Sequence, residues 1–198
     1  MEITADQIKQ LRDATGAGVL DCRNALQQSD GDFDKAVALL REKGLSGAAK
    51  KSGRSASDGV IGSYVHHNKR VGVLVELNTE TDFVARTEQF QALAQDLALH
   101  VAMSNPRYLT PEEVPADVIE AERTVYRKEA EATGKPAAVI DKIVEGKLEK
   151  FYSEICLMRQ HFIKDDSMRI EEMIKQAIST LGENIVLRRF ARFELGGE

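Results

Sequence analysis

The stretch 71-VGVLVELNTETDFVARTEQFQALAQDLALHV-101 changes its apolar period part-way along, and the rest of the chain is read outward from that change. Val71, Val73, Val75 and Leu77 alternate, which predicts a strand from Val71 to Asn78 with one buried face. Phe83, Phe90, Leu93, Leu97 and Val101 then recur at helical spacing. They predict a helix with one apolar stripe, starting near Thr81 or Asp82 and running to about Ser104. Thr81-Asp82-Phe83-Val84 is therefore a loop-to-helix junction hung from a buried strand. From the residues alone, Asp82 caps the helix, where a carboxylate suits the helix dipole, and Phe83 staples it to the core.

Upstream, Val60 to His66 is a second strand pattern, and His67-Asn68-Lys69-Arg70 joins it to the first as an antiparallel hairpin. Residues 46–59 (SGAAKKSGRSASDG) are small, polar and glycine-bearing, the composition of a linker, although Ala-Ala-Lys-Lys can extend helically. Residues 1–45 read as three short helices. Thr4 and Gln7 form a capping-box pattern ahead of Ile8, Leu11 and Ala14, and Gly16 closes that helix. Val19, Cys22, Ala25 and Leu26 carry the second helix. Asp32 caps a third, with Phe33, Ala36, Val37 and Leu40 inward and Gly44 as its stop.

Downstream, the patterns from Asp117 to Thr133 and around Val139, Ile140, Ile143 and Val144 flank Gly134-Lys135-Pro136. They predict a projecting helical hairpin over about 117–150. Met168 to Leu181 is a last amphipathic helix, ended by Gly182. Ile185 to Leu195 closes the chain as a strand with Ile185, Leu187, Ala191, Phe193 and Leu195 on one face and Val186 and Phe190 on the other. Apolar residues on both faces call for a second covering surface, a protein partner or a dimer. The fold class is α+β: a three-helix bundle (1–45), a linker (46–59) and a core (60–198) of a small antiparallel sheet covered by helices.

The 198 residues are 42% hydrophobic and 30% charged, an ordinary soluble composition. A net charge of −5 argues against nucleic acid as the main partner; one basic patch stands at Lys50, Lys51 and Arg54. No apolar run is long enough to span a bilayer and Met1-Glu2-Ile3-Thr4 does not open a signal peptide, so a cytoplasmic-type compartment is expected, bacterial or inside an organelle. Cys22 and Cys156 lack metal or redox spacing and are expected buried and reduced, with a disulfide within or between chains as the alternative. Adjacent His66 and His67 point to opposite faces of a strand and cannot share a metal. Gly16-Ala17-Gly18 follows a helix where a dinucleotide loop needs a strand, and Gly134-Lys135-Pro136 is no phosphate loop. Glu112-Glu113 and Glu171-Glu172 read as solvated helix faces. No catalytic constellation, metal site or cofactor site emerges.

Three stretches in order carry a resemblance: Thr15 to Leu26 (TGAGVLDCRNAL), Ala48 to Gly59 (AAKKSGRSASDG) and Thr81 to Val84 (TDFV). Over essentially the whole chain the sequence resembles the translation elongation factor Ts family, the exchange factors of the GTPase elongation factor Tu. The resemblance implies that residues 1–45 are a ubiquitin-associated-like domain. It implies that Thr81, Asp82, Phe83 and Val84 enter the GTPase near its magnesium site, with Phe83 wedging between helices so that magnesium and then GDP leave. It also places Arg12, Val19, Leu20 and Lys51 against another face of the GTPase. The chain carries one core module where longer members have two, which together with the closing strand favours a homodimer. Thr79, where many members have cysteine, is expected to matter little. The competing reading is a binding adaptor whose bundle recruits a ubiquitin-fold partner; it accounts for the first 45 residues only.

Overall fold

A computed structural model describes residues 3–197 of the chain. The helices α1 (Ala5–Thr15), α2 (Val19–Gln28) and α3 (Phe33–Lys51) come first, followed by strands β1 (Asp58–Val65) and β2 (Val71–Thr79). Then come α4 (Asp82–Ala85), α5 (Glu88–Ser104), α6 (Ala116–Glu131), α7 (Ala137–Ile155), β3 (His161–Phe162), β4 (Asp165–Arg169), α8 (Ile170–Leu181) and β5 (Val186–Glu194). A small antiparallel sheet has the order β1-β2-β5, and β3 pairs antiparallel with β4. The class is α+β, as the residue patterns predict. Two compact units interleave along the sequence. One holds the described residues of Met1–Gly62, Val75–Gln95 and Glu172–Arg188; the other holds those of Ser63–Leu74, Asp96–Glu171 and Arg189–Glu198.

In the first unit, α1 begins at the expected capping box: the Gln7 amide donates to Thr4 Oγ1 at 3.3 Å and the Thr4 amide to Gln7 Oε1 at 3.0 Å. Asp32 caps α3 by accepting the Lys35 amide at 3.0 Å. Leu11, Cys22, Ala25, Leu26, Ala36 and Leu40 form the core of this bundle. Phe33, expected inward, is 38% exposed, and Ala14 and Val19, which share in the apolar helical spacings, are exposed as well.

Gly44 does not stop α3, which runs on through Ala48-Ala49-Lys50-Lys51. A Cβ at Gly44 would stand 3.2 Å from Ser179 Oγ, so this glycine lets α8 approach. Arg41 pairs with Glu172 at 2.6 Å and Lys51 Nζ donates to the Ile178 carbonyl at 3.3 Å, fastening the same helix pair. A mid-helix glycine costs about 1 kcal/mol against alanine, and burial of α3 residues such as Ala48 against the fold offsets it.

In the second unit, α6 and α7 form the predicted hairpin around Ala130, Ile140, Val144 and Leu148. Arg127 pairs with Asp141 at 2.8 Å across it, and Arg123–Glu145 and Lys147–Glu129 do the same. Helix α7 outruns the expected end near residue 150 because Tyr152 still packs on this core. His100 is fully buried: the Ile163 amide donates to its Nδ1 at 3.2 Å, so Nε2 carries the proton and donates to Gln160 Oε1 at 3.0 Å. Burial holds its pKa below the ordinary histidine value.

Met168 lies in β4, not in the last helix, which starts two residues later. The β3–β4 hairpin has too few residues for an apolar alternation to announce it. Along β5, Ile185 and Leu187 are buried while Phe193 and Leu195 are 72% and 65% exposed. A single buried face therefore does not run the length of the strand. Near its end the inward position belongs to Arg192, whose Nε donates to the Ala102 carbonyl at 3.3 Å, in the last turn of α5 where a cation is favoured. Cys22 and Cys156 are both free and buried; burial raises both thiols, Cys156 to about 11.

Candidate functional site

The Thr81–Val84 stretch follows directly on β2, whose Val73, Val75, Leu77 and Thr79 are buried. It does not open one long helix. A single turn, α4, ends at Ala85, and α5 starts afresh at Glu88. Thr87 makes the break: its hydroxyl donates to the Val84 carbonyl at 2.8 Å and accepts the Phe90 amide at 3.3 Å, so a side chain substitutes for helical backbone bonds.

The cap is Thr81, not Asp82. Thr81 has extended backbone (φ −132, ψ 155), and its Oγ1 accepts the Val84 amide at 3.5 Å. Asp82, freed from that duty, pairs with Arg86 at 2.9 Å on the solvent side. Phe83 departs furthest from expectation. Phe90, Leu93, Leu97 and Val101 form the buried stripe, but Phe83 is 80% exposed. The interposed break rotates it off the stripe that the spacing had assigned to it. Val84 is half-buried and Ala85 buried, so the turn is seated by its last residues and presents its ring outward.

What seats the turn is a residue the sequence reading passed over. The Glu183 carboxylate accepts Thr81 Oγ1 on Oε1 at 2.7 Å, and on Oε2 it accepts the Thr81 amide at 3.0 Å and Thr79 Oγ1 at 2.8 Å. In return the Asn184 amide donates to Glu80 Oε1 at 2.7 Å. Two adjacent residues on each side thus exchange carboxylate-to-amide bonds. The Asn184 side chain, almost wholly buried, also donates to the carbonyls of Arg54 at 2.8 Å and Ser52 at 3.4 Å, and Arg54 pairs with Glu80 at 3.4 Å. Burial pushes the Glu183 carboxyl up, but the hydrogen bonds from Thr81, Thr79 and the nearby amides outweigh it and hold the group below its ordinary 4.5. Thr79, expected to matter little, is a member of this bracket. The sequence signal was Gly182-Glu183-Asn184, legible only as a helix stop.

The other predicted residues sit on different elements. Arg12 is exposed in the last turn of α1; Val19 and Leu20, 52% and 72% exposed, open α2 behind Gly18, which caps it without a side chain. Lys51 is half-buried, its ammonium directed to the Ile178 carbonyl. Among the described residues no group of three or more His, Cys, Asp or Glu side chains is placed to hold a metal ion, and no helix is long and apolar enough to cross a membrane.

A family model described as "Elongation factor TS" matches residues 30–196. The chain belongs to the elongation factor Ts family. It is 55% identical to "Elongation factor Ts" of Fervidobacterium nodosum over 99% of this chain and 100% of that protein. It is 56% identical to the protein of that name from Herpetosiphon aurantiacus over 99% of each, and 52% identical to the one from Geobacter sulfurreducens over 99% of this chain and 91% of the relative. Membership in the elongation factor Ts family thus spans both the bracketed turn and the exposed start of α2.

Proposed function

We propose that this chain is a guanine nucleotide exchange factor for elongation factor Tu, acting in the cytoplasm by binding the GDP-bound GTPase, displacing its magnesium and promoting GDP release. The observation that carries the proposal is the 80% exposed Phe83 ring on a one-turn helix whose neighbours are anchored. An aromatic side chain held out on a fixed support suits insertion into another protein. Thr81, Asp82, Phe83 and Val84 form the inserting element, and the exposed Arg12, Val19 and Leu20 form a second contact. Lys51, turned toward Ile178, contributes through its stem. No bond is made or broken; a binding equilibrium is remodelled, and no cofactor is required.

Magnitudes limit the role of the ring. Lowering GDP affinity a thousandfold needs about 4 kcal/mol of coupling. Burial of one phenyl group supplies roughly 1.5 to 3 kcal/mol, so loss of magnesium and other contacts supply the remainder. Coupling is reciprocal, so the chain binds the nucleotide-free GTPase more tightly than the GDP form by the same factor. The test is release of labelled GDP from elongation factor Tu with and without this protein. Acceleration that Asp82→Ala and Phe83→Ala diminish supports the proposal, and no acceleration by the folded protein refutes it.

Homodimerisation is part of the same proposal. In the second unit Val65 on β1, Leu74 on β2, Phe193 on β5 and Leu195 just beyond it are 65%, 48%, 72% and 65% exposed, and exposed apolar side chains grouped in this way suit a partner surface. A second copy of the chain covers them. Sedimentation showing a monomer at micromolar concentration with full exchange activity would count against this.

A further inference from the structure

We propose that Glu183 is a positioning residue for the Phe83 turn, and that the Glu183-Asn184 pair makes the turn a pre-set element. This rests on the exchange reading above and adds a residue and a device to it. The two oxygens of one carboxylate take three donors from Thr79 and Thr81, one of them the backbone amide two residues before Phe83. Bonds to an ionised acceptor are shorter and stronger than neutral ones. The Thr81 backbone, and with it the start of α4, is thereby held in place before any partner arrives.

The return bond from the Asn184 amide to Glu80 stops the strand end from twisting about the Thr81 contact. Asn184 then carries the restraint to the carbonyls of Ser52 and Arg54, just beyond the end of α3. The chain after α3, the end of β2 and the residues after α8 are joined at one point. Gly182, with φ +82, turns the chain there so that Glu183 faces Thr81. The Phe83 side chain has no polar atom and takes no part in these hydrogen bonds, so the effect of Glu183 on exchange passes through the turn. The gain is pre-organisation: a ring already in its bound orientation loses less freedom on insertion.

The sequence contains no tryptophan, so Phe83→Trp gives a single-tryptophan reporter of the turn in the free protein. In that background Glu183→Ala should lower the nanosecond fluorescence anisotropy of Trp at 83 and speed amide exchange at Thr81 and Val84, while the circular dichroism of the helices is kept. Glu183→Gln, which retains one acceptor oxygen, should fall between. In chains with Phe83 intact, Glu183→Ala should lower GDP release by roughly tenfold at subsaturating protein, the scale of losing a charged hydrogen-bond acceptor. It should do so chiefly by raising the half-saturating concentration, with Glu183→Gln restoring part of the loss. Unchanged anisotropy and amide exchange in both variants overturn the proposal, whatever exchange does. If Glu183→Ala does not fold, Glu183→Gln alone decides by the same readouts. Absence of GDP release by the unsubstituted chain refutes the exchange reading but leaves the anisotropy result to judge the bracket.

Discussion

Two candidate contact stretches, Thr81–Val84 with its exposed Phe83 and the exposed pair Val19–Leu20, are supported in opposite ways. The first is one helical turn fixed by a carboxylate with three donors and by a side-chain cap. The second opens a ten-residue helix behind Gly16-Ala17-Gly18, with no side-chain cap bond at Gly18. A short element held by long-range polar bonds is fixed from outside itself, whereas the start of α2 lacks a side-chain cap and leans on local bonds such as that from the Gly16 amide to the Arg12 carbonyl at 2.7 Å. Phe83 should therefore act as a wedge and Val19–Leu20 as an adaptable contact.

The largest expected effect is at the ring. Phe83→Ala should slow GDP release from elongation factor Tu by roughly tenfold to a hundredfold, the loss of about 1.5 to 3 kcal/mol of burial against the partner. Its melting temperature should stay within about a degree or two, since an exposed side chain contributes little to folding. A large drop in melting temperature would place Phe83 in the core after all and dissolve the contrast.

Acid should loosen the first stretch selectively. The Glu183 carboxyl titrates below its ordinary 4.5 in the folded chain, so its contribution is complete above that value and is lost as pH falls through the lower, folded-state value. Amide exchange at Thr81, normalised for intrinsic pH dependence, should therefore lose protection at the acid end of a titration from about pH 6 to pH 3. The amides of Val19 and Leu20 should show no matching step. Asp32 is also held below its ordinary value, first by the Lys35 amide, so its cap on α3 is likewise lost toward acid and the comparison must be read residue by residue.

Leu20→Ala should raise the concentration for half-maximal exchange by about fivefold, near 1 kcal/mol, without changing the maximal rate. An effect as large as that of Phe83→Ala would make the two stretches equal partners. Smallest is Gly18→Ser, at a position with φ −63 and ordinary space for a Cβ. A serine cap should stabilise α2 by roughly a few tenths of a kcal/mol, visible as a small rise in melting temperature.

Much of this arrangement was legible in local signals. The Thr4–Gln7 box, the Asp32 cap, the buried alternation of Val73, Val75 and Leu77 in β2 and the existence of the α6–α7 hairpin, though not the end of α7, rest on residues within a few positions of each other and formed as read. The Thr-Asp-Phe-Val turn also sits where the change of period put it. Its supports were not legible. Glu183 lies 102 residues from Thr81 and reads as a polar residue after a helix, because nothing local distinguishes a carboxylate facing water from one facing three donors.

Period, caps and turn residues act over one or two helical turns, and they were enough to settle the α+β class, the three N-terminal helices, the β1–β2 hairpin, the α6–α7 hairpin and the family, but not the β3–β4 hairpin or the division of α4 from α5. Packing in three dimensions is what makes Gly44 admit α8 instead of stopping α3, lets Thr87 break the helix and turn Phe83 outward, and gives Arg192 the inward place near the end of β5. Each of those outcomes depends on which surface another element presents, or on a side chain competing with the backbone for the same hydrogen bond. Such competition is settled by a few tenths to a few kcal/mol of packing and hydrogen bonding that no short window of sequence contains.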